Sequence, residues 1–102
     1  MAQFDLYRNP HSGPFPLLLD VQAELLSQLA TRVVVPLVKL DRYGSRPITR
    51  LNPTVKFGRY EYVLVFQELA AVPLSVLGER RGSLASRRAD LIGALDFLFT
   101  GI

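Results

Sequence analysis

Over residues 84–102 apolar side chains recur at helical spacing. At roughly 100° per residue, Leu84, Leu91, Ile92, Leu95, Leu98 and Phe99 fall in a stripe about 120° wide, the width of a helix face packed on a core. Ser83, following Gly82, is the expected N-cap. Phe97 lies outside the stripe and shares a face with Gly93 and Thr100. An aromatic there implies a surface that meets another molecule. The alternative is packing elsewhere in the chain or in a symmetric dimer.

The first eighty residues instead show short β-like runs between turn residues. Residues 4–7 read as a strand ended by Asn9-Pro10-His11-Ser12-Gly13-Pro14. Residues 17–21 are extended, and residues 32–37 form a β-branched run that Pro36 assigns to an edge or a bulge. Residues 22–30 carry helix formers and read as a loop with one helical turn or a strand extension. Residues 54–57 and 60–66 flank Gly58-Arg59, glycine first, which suits a type II′ hairpin. In the second of these strands Tyr60, Tyr62, Leu64 and Phe66 share one face and Glu61, Val63 and Val65 the other. Both faces are partly apolar, so the strand belongs inside a sheet. Residues 74–77 give the last strand. The expected architecture is mainly β: a small barrel or strongly bent sheet of antiparallel strands, its open side covered by the C-terminal helix.

Composition narrows the function classes. The 102 residues suit one domain, and an apolar fraction of 49% is high enough to favour a dimer interface. The absence of cysteine excludes disulfides and thiolate chemistry and fits a reducing, cytoplasmic setting. No apolar run approaches the roughly 20 residues of a membrane span, and residues 1–8 do not form a signal peptide. Twelve cations and nine carboxylates leave a net charge of +3, interspersed, so direct nucleic-acid binding is not expected. The densest basic cluster is Arg80, Arg81, Arg87 and Arg88. It is either a solvated loop and helix start or a docking site for an acidic peptide.

Catalytic signatures are weak. His11 is the single histidine and sits in a turn, so no histidine-based metal site assembles, and no glycine-rich phosphate loop is present. Asp5 and Asp20 could meet across strands, and Arg46 with Ser45 and Thr49 is the set available for metal-free phosphodiester chemistry. Action by surface contact, with no cofactor, explains the chain better than turnover.

Asp20-Val21-Gln22 after a short strand, Arg32-Val33-Val34-Val35-Pro36-Leu37, the block Leu69-Ala70-Ala71-Val72-Pro73-Leu74-Ser75-Val76-Leu77-Gly78-Glu79, and a terminal helix closing on Phe99 with Gly101-Ile102 occur in this order. Together they resemble the CcdB toxins of bacterial toxin–antitoxin pairs, from Gln3-Phe4 to Ile102. Residues 8–15 and 39–48 are least alike. The resemblance implies a single domain over residues 1–102, an SH3-like small barrel (CcdB/PemK-like), and a homodimer with a role in plasmid maintenance. It implies no catalysis. Instead the toxin binds the A subunit of DNA gyrase, or another type II topoisomerase, traps the cleaved DNA complex, and is neutralised by the acidic disordered tail of a CcdA-like antitoxin. Carried over position by position, the gyrase-binding residues are Leu25 and Leu26, where the family has isoleucines, Asp96, where it has asparagine, and Thr100, Gly101 and Ile102. Thr100 replaces a tryptophan, for which Phe97 is the candidate substitute aromatic. Two other readings are a metal-independent endoribonuclease of the related MazF/Kid type, using Arg46 or Arg50, and a toxin fold that binds antitoxin but has lost its poison.

Overall fold

The computed structural model describes residues 2–11 and 13–102; Met1, and Ser12 of the expected turn at 9–14, lie outside the described residues. Strand β1 (Asp5–Arg8) pairs antiparallel with β2 (Leu17–Asp20), Leu6 opposite Leu19. The long β3 (Thr31–Lys39) follows, then the hairpin β4 (Thr54–Phe57) and β5 (Tyr60–Leu64), then β6 (Ala70–Pro73) and β7 (Arg80–Ser83), and finally the helix α1 (Arg88–Thr100). The strands form one antiparallel sheet in the order β4-β5-β3-β2-β1-β7, with β6 also paired to β3. The fold is a curled half-barrel with one C-terminal helix, as the pattern predicts.

The hairpin forms where expected: Gly58 takes φ 62 and Phe57 faces Tyr60. Only the first turn residue needs positive φ in a II′ turn, and it is the glycine. β5 lies between β4 and β3, and its two apolar faces feed two clusters. Tyr62, Leu64 and Phe66 join the main core with Leu6, Leu19, Val35 and Leu37, while Val63 and Val65 pack with Val38 under Phe15 and Tyr43.

Five expectations are corrected. β3 is central rather than an edge, pairing with β2, β5 and β6. Pro36 is tolerated because, on its bonding side, β6 pairs with residues 31–34 and β5 with residues 37–39. Proline therefore falls between two ladders, where its missing N–H costs no ladder bond, and its carbonyl takes the Val65 N–H at 3.0 Å. The run at 74–77 is not a strand. Leu74 donates to the Ala30 carbonyl at the end of the β6–β3 ladder, Leu77 N–H closes a 3-10 turn on Leu74, and Gly78 N–H turns to Arg8. That turn carries the chain to β7, whose Arg-Arg-Gly-Ser has no apolar alternation and goes unread in the sequence.

The helix is also shorter than expected. Residues 85–87 form a 3-10 turn, and Ser83 Oγ accepts the Ala85 N–H rather than capping α1. Its core-facing seam is Leu91 and Ala94, both wholly buried, with Ile92 and Leu95 packed at its flank, whereas Phe99, assigned to the stripe, is 69% exposed. Apolar residues lie on nearly every face of α1, so the pattern alone cannot set its rotation.

The two ends of the sheet path come together at Gly82. A Cβ there would lie 2.7 Å from Cε1 of Phe57, so the Phe57 ring occupies the space that a side chain on residue 82 would need. Gly82→Val is expected to cost about 1–3 kcal/mol through overpacking. In urea unfolding the loss should be smaller in a Phe57→Leu background, because the two positions share one space; strict additivity would refute the closure contact.

Candidate partner-binding site

The segment between β2 and β3 is shaped by a buried arginine. Arg32 and Asp20 are 3% and 2% exposed, and Arg32 Nε lies 3.8 Å from Asp20 Oδ2. The Arg32 guanidinium donates to the carbonyls of Ser27 (2.5 Å), Leu29 (2.9 Å) and Thr31 (2.9 Å). Asp20 accepts the Gln22 N–H at 2.9 Å; the Gln22 side chain accepts from Val33 N–H and donates to the Leu26 carbonyl at 3.0 Å. The loop backbone is thus turned inward, and its side chains are turned out. Residues Glu24–Leu26 make one 3-10 turn, the single helical turn expected, with Leu25 93% and Leu26 49% exposed.

The second set lies at the end of α1. Thr100 Oγ1 donates to the Asp96 carbonyl at 2.6 Å and accepts the Ile102 N–H at 3.3 Å. Gly101, at φ 74, bonds back to the Phe97 carbonyl at 3.0 Å, the left-handed cap that ends many helices. Asp96, Thr100, Gly101 and Ile102 are all exposed. Phe97 is half-buried, and the Arg50 guanidinium sits 5.0 Å from its ring centre while also donating to the Ile102 carbonyl. The ring left open is Phe99. Among the described residues no hydrogen bond or ion pair joins Leu25 and Leu26 to the helix end.

The four-arginine cluster is divided, and three of its members have carboxylate partners. Arg80 pairs with buried Asp5 at 3.1 Å, Arg81 with Glu79 at 3.3 Å, and Arg87 with Asp90 at 3.0 Å, while Arg88 binds Gln3 Oε1 at 3.0 Å. Arg8 and Arg81 hold the Glu79 carboxyl below its usual range, the Arg8 hydrogen bond most of all. Arg81 lines a cavity with Arg8, His11 and Phe57, whereas Arg87 lines a groove with Arg50, Asp90 and Gly93. Among the described residues, Lys39, Arg42, Arg46, Lys56 and Arg59 form no ion pair. Lys39, Lys56 and Arg59 share one shallow cavity, and Lys39 and Arg42 line the next.

Asp5 and Asp20 do face each other across the β1–β2 register, both buried, but each is matched to an arginine. Among the described residues no group of three His, Cys, Asp or Glu side chains could hold a metal, and no helix is long and apolar enough to cross a membrane.

A family model described as CcdB protein matches residues 3–101. The chain belongs to the CcdB family. Membership places it among the toxins of toxin–antitoxin pairs, on a small curled β fold. In this CcdB-family chain the supporting residues Arg32, Gln22 and Arg50 went unread as such in the sequence. The available signal was an arginine opening a run of valines, which has to find buried acceptors.

Two expectations follow. Arg32→Met leaves Asp20 buried without its counter-charge and frees three carbonyls, and is expected to cost about 3–5 kcal/mol in denaturant unfolding, with faster amide exchange across residues 22–30. Burial, first, and the nearby Asp5 raise the Asp20 carboxyl above its ordinary value against the pull of Gln22 N–H and Arg32. A carboxyl that binds its proton more tightly when folded contributes most below its unfolded value of about 3.9, and that contribution is lost as pH rises through the folded value. The stability of the native protein minus that of Asp20→Asn should therefore shrink between about pH 3 and 7. A widening difference would show that Arg32 outweighs burial.

Proposed function

We propose that this chain is a gyrase poison. As a homodimer in the bacterial cytoplasm, it binds the A subunit of DNA gyrase through Leu25, Leu26, Asp96, Thr100, Gly101 and Ile102 and holds the cleaved DNA complex. It acts by contact and needs no cofactor. The match to the CcdB family over residues 3–101 carries this reading. The outward display of the same positions supports it, with Leu25 93% and Ile102 78% exposed on backbones tied from within.

An acidic, disordered antitoxin tail would silence it. Arg80, Arg81 and Arg87 already have carboxylate partners. The cations open to such a tail include Arg88 and, around two adjoining cavities, Lys39, Arg42, Lys56 and Arg59, with Asp41 and Glu61 lining the first of these.

Threonine at position 100 offers no ring, and the Phe97 ring is covered by Arg50. Phe99 is the aromatic that remains for a partner. Purified protein incubated with gyrase, ATP and supercoiled plasmid should accumulate cleavage complex, and absence of both inhibition and cleavage would overturn the assignment. Thr100→Trp should lower the concentration required by about thirtyfold, the value of an aromatic hot spot of roughly 2 kcal/mol.

A further inference from the structure

Arg50 combines three features that no other residue shares among the described residues. It is one of two non-glycine residues at positive φ among the described residues, here 75, and it is exposed, so no core packing demands that conformation. Its guanidinium lies 5.0 Å from the ring centre of Phe97 on α1. The same group donates through Nη2 to the Ile102 carbonyl, 52 residues away in sequence. Arg50 lies inside the turn that Asn52 N–H closes on the Ile48 carbonyl, which sets its backbone, and from that turn its guanidinium makes both long-range contacts.

The contacts converge on the segment after α1. Gly101 N–H is bonded to the Phe97 carbonyl and Ile102 N–H to Thr100 Oγ1, and the Ile102 carbonyl has Arg50. These three ties hold the backbone of the segment although its side chains face solvent, and Ile102 remains 78% exposed. Without Arg50, the last tie and the cover on Phe97 both go. What remains is a left-handed cap and one hydrogen bond at 3.3 Å.

We propose that Arg50 is a positioning residue: it clamps Gly101 and Ile102 against the end of α1, so that Ile102 and Phe99 are presented to a partner in a fixed arrangement while Phe97 is withheld from it. The planar guanidinium suits both jobs, stacking on a ring while directing an N–H at a carbonyl. Thr100 completes the clamp from the other side. In this chain, position 100 ties the segment down instead of supplying a ring. The partner's identity rests on the gyrase reading; the clamp itself does not.

The test uses Arg50→Gly, because glycine adopts the observed φ without strain. The variant is expected to keep or raise Tm, so any loss of order at the helix end is not loss of fold. On the isolated protein, backbone 15N relaxation should show Gly101 and Ile102 rigid in the native chain and as mobile as a disordered tail in Arg50→Gly. Equal order in both, or mobility already in the native chain, would overturn the clamp. In the gyrase cleavage assay the variant should require on the order of tenfold more protein, the entropic penalty of ordering the segment on binding. Equal potency would overturn the positioning role. A native chain that yields no cleavage complex would refute the gyrase reading alone, leaving the relaxation comparison to decide the clamp.

Discussion

One buried guanidinium organises the exposed loop of this protein. Arg32 opens the valine run of β3, where the inward neighbours belong to the core, and its charge must be answered inside the fold. Asp20 supplies the counter-charge from the paired strand, but at 3.8 Å the ion pair is long. The geometry is completed by carbonyls of Ser27, Leu29 and Thr31. Leaving any of them out would strand a buried charge, which costs more than a lost surface contact. The 22–30 loop therefore has little freedom, and the side chains it cannot turn inward, Leu25 among them, stay in solvent. Such a pair is weak support for stability in itself; its effect here is on position.

The helix end shows the same logic at the surface. α1 is apolar on most of its circumference, and the core takes only Leu91 and Ala94 completely. The remaining apolar faces are divided between a cover of Arg50 on one ring and open exposure of the other. In both the loop and the helix end, apolar side chains are exposed on backbone that is hydrogen-bonded from behind. That is the arrangement expected of a surface that binds with little ordering cost.

Charge is distributed to the same effect. Carboxylates pair with arginines at the Asp5, Asp20, Glu79 and Asp90 sites, consuming most of the anionic side chains near the β1–β7 edge and the helix start. Among the described residues, Lys39, Arg42, Arg46, Arg50, Lys56, Arg59 and Arg88 are left without a side-chain carboxylate partner. Linear density along the chain singles out Arg80, Arg81, Arg87 and Arg88, and the fold gives three of these four a carboxylate neighbour.

Local pattern was enough wherever a short range sets the structure. Gly58-Arg59 makes its turn because only one residue must enter positive φ, and β5 is interior because both its faces are apolar. The helix and the family-like blocks were likewise legible in residue types and spacing. What the tertiary structure alone decided were relations between distant residues. Pro36 sits within a central strand because two different strands meet beside it. Arg80–Ser83 becomes a strand because β1 offers an edge, and the 74–77 run turns because it must reach that edge. α1 takes its rotation from the core beneath it, and Arg50 meets Ile102 because folding closes a separation of 52 residues. Periodicity records which side chains prefer burial; it does not record which partner each backbone bond or charge will find, since that depends on how the sheet curls.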